Sequence, residues 1–408
     1  MLYFAKTMRK RVVIAILVIF FVLATACAVI FYARGFSFDF SNKKIDHTGL
    51  LSIATVPQGA QVFLDDRLTS ASNTTITYLK PKKYKLKLTK DGFNTWEKEI
   101  EIRADLTTEV EATLYPSIPE LKPLTLIGTA NPLISPDGNK LLYSTNDEKG
   151  AGLWILDMSS GPLPFKRTPH QIVKNTQDLD FSSAQATWSP DSATIWVKIQ
   201  RNKTESEENT RNLLFDAGKL NDKLIDVTAT LESTLSGWQD EINKQEKLRI
   251  KKLEVVPDLE KQSQEALDKQ TASNSALLGI LKYCPCDLIW SADEKKVLIP
   301  KAKDGSFGEG ATVWLLKDTN PLIKTPNKFD IPQAKQTFWL PDSKHLVLVQ
   351  EKEIQIIEFD GFNKVTVYSQ NFENGYVFPW SDGSRLVILA TFNQSAGAQP
   401  NLYSINLE

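Results

Sequence analysis

Apolar residues follow three different rhythms along this chain. From Val12 to Tyr32 they run continuously, 21 residues without a charge and rich in Val, Ile, Leu, Phe and Ala. A helix rises about 1.5 Å per residue, so such a run spans the roughly 30 Å hydrocarbon core and predicts a transmembrane helix over 12–32. Beyond it, period-two alternation dominates, as in Phe36, Phe38 and Phe40 and in Tyr84-Lys85-Leu86-Lys87-Leu88. That pattern predicts strands with one face buried and the other wet. Only between about Ala229 and Leu281 does the spacing become three and four, at Leu231, Leu235, Trp238 and Ile242. This predicts a helical insertion over 229–281, with Pro257-Asp258 breaking it and starting a further helix.

Charge gives the apolar run a direction. Lys6, Arg9, Lys10 and Arg11 precede it, whereas Arg34, Lys43 and Lys44 follow among Asp39 and Asp46. The positive-inside rule then places residues 1–11 in the cytoplasm and 33–408 outside a cell membrane, with 33–49 as a membrane-proximal linker or strand. Two other readings compete. Ala24-Thr25-Ala26 has the form of a signal-peptide cleavage site, but the run is longer than a 7–15-residue signal core and continues through Val29, Ile30 and Phe31. Cys27 stands where a lipoprotein cysteine would, but the preceding Leu is at 23 and Ala fills 24. A retained anchor is the expectation.

Residues 50–116 form the next block. Leu51–Val56 leads into Pro57-Gln58-Gly59-Ala60, a turn by composition, and Gln61–Leu64 follows until Asp65-Asp66. Leu79-Lys80-Pro81-Lys82-Lys83-Tyr84, Gly92-Phe93 and the strand Trp96–Ile102 complete it. These segments resemble the PEGA domain of bacterial envelope proteins, with Gln58 for Glu, Asp66 where Gly often follows Asp, and Lys82 where Gly is usual. The resemblance implies a small, non-catalytic β-sandwich-like surface domain.

A repeat organises residues 120–408. Leu133-Ile-Ser135-Pro136-Asp137-Gly138, Thr187-Trp188-Ser189-Pro190-Asp191-Ser192 and Ile289-Trp290-Ser291-Ala292-Asp293-Glu294 share one form. Phe338-Trp339-Leu340-Pro341-Asp342-Ser343 and Phe378-Pro379-Trp380-Ser381-Asp382-Gly383 continue it, each followed by an apolar strand. The aspartates lie 54, 102, 49 and 40 residues apart. Units of about 40–50 residues with several short strands predict β-propeller blades, five of them, with room for a degenerate sixth. The strand Leu402–Ile405 is placed to complete a blade begun near Leu124–Ile127. The motifs resemble the WD-like blades of the TolB-type propeller, a likeness that implies fold and not activity. The 102-residue step contains the helical insertion, either packing on the propeller or recognising a partner. Before it, residues 201–211 read as a polar exposed loop. The expected architecture is thus mainly β.

Composition narrows the function. Net charge is −1, which gives no electrostatic reason to expect nucleic acid. Cys284-Pro285-Cys286 is half of a zinc site at most, and His47, His170 and His345 are scattered. No phosphate loop, dinucleotide fingerprint, HExxH or G-x-S-x-G elbow occurs. The repeated aspartates Asp137, Asp191, Asp293, Asp342 and Asp382 each fall in one hairpin turn, so turn capping is their expected role. No catalytic, cofactor or metal residue is assigned, no cofactor is expected, and the residues that bind a partner are not identified. The expectation is a non-catalytic membrane-anchored envelope protein, held in lipid by 12–32, whose propeller binds a protein, glycan or cell-wall partner. An envelope hydrolase with its site in the propeller channel and an extracytoplasmic sensor acting through a separate partner are the alternatives.

Overall fold

In the computed structural model the opening apolar run lies within one helix, α1 (Leu2–Ala33). The structure describes residues 2–33, 36–39, 44–147, 150–159, 168–200, 210–272, 281, 288–316, 328–373, 375–392 and 398–408. Cys284-Pro285-Cys286, Phe40 and most of the polar segment 201–211 lie outside these residues. Side chains of α1 are described from Ile14 to Ile30, and all of them are exposed. Among the described residues no helix is long and apolar enough to cross a membrane, so the expected spanning helix over 12–32 finds no support there. Within that stretch the Thr25 hydroxyl donates back to the carbonyls of Phe21 and Val22 at 2.9 Å, so it does not present an unpaired polar group.

Two compact units divide the chain, Met1–Tyr115 and Pro116–Glu408. In the first, β1 (Phe36–Asp39) pairs antiparallel with β2 (Lys44–His47), so the described parts of the segment expected as a linker or strand are two paired strands. The domain proper comprises β3 (Gly49–Val56), β4 (Gln61–Leu64), β5 (Arg67–Ala71), β6 (Thr74–Leu79), β7 (Lys82–Thr89), β8 (Trp96–Ile102) and β9 (Thr107–Thr113). They form one sheet of order β6-β3-β9 and another of order β5-β4-β7-β8. Alternation decides which side chains face inward. Leu51 and Ile53 of β3 share a core with Val62 and Leu64 of β4, Leu86 and Leu88 of β7, and Trp96, Ile100 and Ile102 of β8. The lysines alternating along β7 instead meet glutamates of β8, with Lys83 Nζ 2.6 Å from Glu99 and Lys87 Nζ 3.3 Å from Glu97. Such exposed pairs add little stability and chiefly keep that face wet.

The departures noted within this domain have local accounts. Asp65 and Asp66 both have left-handed backbone, at φ 49° and 62°, as a two-residue hairpin of the primed type requires. Asp65 uses its side chain there, accepting from Lys82 Nζ at 2.6 Å and from the Lys85 amide at 3.0 Å. Lys82, standing where glycine is usual, is thereby occupied with Asp65 and also lies over the Tyr84 ring. Asp66 has only a 3.8 Å contact with Lys85. Asp66→Gly should therefore stabilise this domain by about 0.5–1 kcal/mol, since glycine adopts the left-handed turn without the Cβ penalty. Slower hydrogen exchange at the Leu86 and Leu88 amides is the readout; unchanged or faster exchange contradicts it.

The second unit is a ring of sheets. Its first strand, β10 (Leu121–Pro123), is set aside by the chain until the end. Blade 1 is β11 (Ala130–Ile134), β12 (Lys140–Thr145), β13 (Gly152–Asp157) and β14 (His170–Lys174). Blade 2 is β15 (Gln185–Trp188), β16 (Thr194–Gln200), β17 (Thr210–Asp216) and β18 (Ile225–Asp226). The insertion follows as α2 (Leu231–Ile250), a 3-10 turn over Lys251–Val255, and α3 (Pro257–Ala272). Blade 3 is β19 (Ile289–Trp290), β20 (Lys296–Pro300), β21 (Ala311–Leu315) and β22 (Lys328–Ile331). Blade 4 is β23 (Gln336–Trp339), β24 (His345–Val349), β25 (Ile354–Glu358) and β26 (Val365–Tyr368). Blade 5 adds β27 (Val377–Pro379), β28 (Arg385–Ala390) and β29 (Asn401–Asn406) to the waiting β10, in the order β10-β29-β28-β27. The two ends of the unit thus close one sheet, with Leu121 opposite Ile405, a few residues before the expected Leu124–Ile127.

Packing shows where each sheet stands. One core joins blades 1 and 2, from Leu142 and Ile155 to Val197 and Phe215. Another joins blades 3 and 4, from Leu298 and Val313 to Leu346 and Leu348. A third joins blades 5 and 1, from Leu389 and Leu402 to Leu141 and Tyr143. The helices bridge blades 2 and 3: Leu235 of α2 packs with Trp196 and Leu214 of blade 2, while Ile250, Leu253 and Leu267 pack with Val297 and Leu316 of blade 3. The described residues of this unit form five four-stranded sheets and no sixth.

Candidate functional site

The recurring aspartates build five copies of one turn. In blade 1 the Ser135 hydroxyl donates to Asp137 at 2.6 Å and the Asn139 amide donates to the same carboxylate at 3.1 Å. Ser189 and Ala193 do this for Asp191, and Ser291 and Lys295 for Asp293. The residue after each aspartate has left-handed backbone: Gly138, Ser192, Glu294, Ser343 and Gly383 at φ 71°, 58°, 51°, 58° and 76°. The Ser189 hydroxyl, with the Ala193 amide, holds the Asp191 carboxyl below the usual carboxylate range. These carboxylates are engaged as turn caps, the role expected of them. Among the described residues no group of three or more His, Cys, Asp or Glu is placed to hold a metal ion.

Two blades depart from the pattern in instructive ways. Leu340 replaces the serine of the turn, and His345 takes over, its Nδ1 2.5 Å from Asp342. In blade 5 the sequence alignment of the motif slips by one residue. The Trp380 amide donates to Arg385 and its carbonyl accepts from Gly383, the bonds that Ser135 makes with Lys140 and Gly138. Trp380 therefore occupies the serine position and Pro379 the aromatic one. Two of the three true motif tryptophans link blades: Trp188 Nε1 donates to the Leu133 carbonyl at 3.1 Å and Trp339 Nε1 to Ile289 at 2.9 Å.

The binding candidate lies elsewhere, at the open end of the β15–β16 hairpin, away from the aspartate turn. A cleft of about 630 Å³ is lined by Gln177, Asp178, Asp180 and Ser183 from the segment before β15 and by Gln185, Lys198, Ile199 and Gln200 from the hairpin. Gln185 and Lys198 are directly paired across the hairpin. The first wall is a short 3-10 turn, Phe181–Ser183, capped by Asp180, whose Oδ1 accepts from the Ser182 amide at 3.0 Å and the Ser182 hydroxyl at 2.6 Å. Asn175 reinforces it, donating to Asp180 at 2.9 Å and accepting from the Phe181 amide at 3.0 Å. The Ser182 carbonyl accepts from Asn131 and Ser144 of blade 1, so the wall is tied to two blades. Below it, Phe181 is fully buried, edge-on to Phe215 at 5.7 Å.

Primary amides, a hydroxyl, carboxylates and one ammonium supply paired donors and acceptors of both kinds. Beside an apolar share from Ala184 and Ile199, these groups can meet hydroxyls and amides of a ligand, and the volume falls in the range of small-ligand sites. None of these residues stood out in the sequence. The available signal was the polar run Asn175–Asp178 with a capping Asp180, set just before a blade motif.

The PEGA domain family matches residues 48–118, which covers all the strands of the seven-stranded domain. No curated protein matches the chain. Among solved structures, a putative TolB from Agrobacterium tumefaciens aligns at 12% identity over 68% of this chain and 72% of its own, with a TM-score of 0.22. TolB from Acinetobacter baumannii aligns at 9% identity over 86% of this chain and 64% of its own, with a TM-score of 0.22. An oligogalacturonate lyase from Vibrio parahaemolyticus aligns at 9% identity over 88% and 98%, with a TM-score of 0.25. At such scores these likenesses carry no argument, and the ring rests on the chain's own strand pairing and blade packing.

Proposed function

We propose that this protein is a non-catalytic, membrane-anchored component of the cell envelope, with its N-terminus cytoplasmic, that presents a propeller to bind a polar partner, an envelope protein or polysaccharide. The observation that carries this reading is α1. Its apolar side chains from Ile14 to Ile30 stand exposed, Phe20 and Phe21 at 69% and 70%, while the β domain and the ring each close cores of their own. An uncovered apolar surface on that scale marks contact with lipid or protein. The continuous run Val12–Tyr32 and the four cations before it favour lipid, with the rest of the chain outside. The cleft at Gln185 and Lys198 is the partner site in this reading.

Topology and binding are tested together on the full chain. With one epitope tag before Met1 and another after Glu408, protease added to intact spheroplasts should remove only the C-terminal tag, and detergent should be needed to extract the protein. A chain soluble without detergent, or a protected C-terminal tag, rules out the anchor as drawn. The extracted protein should cosediment with purified cell-wall or envelope fractions, and Gln185→Ala with Lys198→Ala should weaken this about tenfold, the scale of one or two lost polar contacts. Release of soluble fragments from the wall fraction would make it an enzyme instead.

A further inference from the structure

The buried face of α2 runs through Leu235, Gln239, Ile242, Glu246 and Ile250, one residue per turn. Two of the five are polar. Gln239 donates to Asn243 at 3.0 Å, and Gln270 of α3 donates to the same Asn243 at 2.9 Å, so this pair is used to join the helices. Glu246 is different. It is 2% exposed, its Oε1 accepts from Arg249 at 3.0 Å, and its Oε2 has no hydrogen-bond partner among the described residues. The Trp290 indole N–H of blade 3 is equally buried, has no partner at good hydrogen-bond geometry, and lies close enough to this carboxyl to act on it.

Blade 3 is recoded at this contact. Trp188 and Trp339 donate to the preceding blade, but ahead of Trp290 stands the helical layer, and its ring packs there against Ile250 and Leu253. Ser192 and Ser343, just after their aspartates, accept from the Asp137 and Asp293 amides of the preceding blades. The same position in blade 3 is Glu294, which instead holds Arg249 at 3.0 Å and Lys252. Arg249 therefore stands between two carboxylates, one buried and one near the surface, and binds the insertion to blade 3.

We propose that Glu246 is a proton-gated latch: with the proton on, the helical insertion is held firmly against blade 3, and with it off the hold weakens. An ionised carboxylate with one oxygen unpaired in an apolar core is costly to keep there, whereas the neutral acid is far less so. The charged groups facing it are Arg249 on its own helix and Glu294 from the blade 3 turn, with Lys252 beyond on Glu294; apart from the Trp290 indole N–H, the rest of that core, Leu253, Leu267, Leu288 and Val297, is apolar. Burial, the dominant effect, raises the Glu246 carboxyl above the ordinary range, Arg249 and more weakly the Trp290 indole N–H oppose that, and Glu294 adds to it. The sign follows from linkage. A folded-state acid raised above its unfolded value stabilises the docked state fully below the ordinary carboxylate range, and that stability is lost as pH rises through the raised value.

Hydrogen exchange on the full chain in detergent, corrected for the intrinsic pH dependence of amide exchange, tests this. In the wild-type protein, protection of α2 should be about tenfold greater at pH 4.5 than at pH 7.5, the scale on which one buried proton biases a local opening. The strand Arg385–Ala390 serves as the folded control. Glu246→Gln should give acid-like protection of α2 at both pH values. Glu246→Met, which also carries no proton to lose, should be equally flat and covers the case in which Gln disturbs packing. Equal wild-type protection at the two pH values, or a pH response that survives in both variants, overturns the latch.

Discussion

Leu402→Ala should lower the stability of the ring by about 2–5 kcal/mol, the range for removing a fully buried leucine from a core that cannot collapse around the gap. Leu402 is 0% exposed and lies in β29, between β28 and the strand β10 that the chain laid down at the start of the unit. Its backbone is tied to the segment just after β10: its amide donates to the Thr125 hydroxyl at 2.9 Å, and its carbonyl accepts from the Leu124 amide at 2.8 Å. Its side chain packs with Leu389 of its own blade and with Leu141 and Tyr143 of blade 1. The void therefore opens where the first and last strands of the unit meet, and the loss should spread around the ring. Urea unfolding should show a lower midpoint, with protection lost in blades 1 and 5 together. Leu220→Ala, at a position 41% exposed, should change stability by no more than about 0.5 kcal/mol. A Leu402→Ala effect confined to β29 and β10 would mean that the closing sheet does not secure the ring.

Much of this architecture was readable in advance because repetition and alternation are strong signals. Five aspartates in one sequence context predict five copies of one turn, and the left-handed residue after each has the same backbone whether it is Gly138, Ser192 or Glu294. Strict alternation in Tyr84–Leu88 predicted which of those side chains face the core, and Leu86 and Leu88 are fully buried. What escaped the sequence depends on partners distant along the chain. Trp380 looked like a motif tryptophan, and only the bond pattern with Gly383 and Arg385 reveals it in the serine position. The role of the insertion was equally hidden, since a helical stripe does not say which sheets it will meet. Its one trace was Glu294, a charge where the other turns carry Gly or Ser, and its reason lies some forty residues back at Arg249. The cleft left the least trace. Its walls come from 177–185 and 198–200, brought together by the β15–β16 pairing, and exposed amides and hydroxyls have no periodicity to read.

Those walls stand on one buried ring, which makes Phe181→Ala the sharpest probe of the proposed binding role. Phe181 is 0% exposed in the core between blades 1 and 2, and its edge-to-face contact with Phe215 adds about 0.5–1.5 kcal/mol beyond its buried area. Truncation should cost about 3–5 kcal/mol in unfolding free energy. It also frees the turn that carries one wall, because Asp180, Ser182 and Asn175 form their bonds around the Phe181 backbone. Capture of envelope fractions by Phe181→Ala should therefore fall by more than the tenfold expected of the paired Gln185 and Lys198 truncations, although Phe181 lies beneath the cleft. Phe181→Leu, which keeps most of the buried volume, should recover most of the stability and most of the capture. If capture persists undiminished in folded Phe181→Ala protein, the partner binds elsewhere on the ring, because a displaced wall at Asp180–Ser183 cannot leave a site at Gln185 and Lys198 intact.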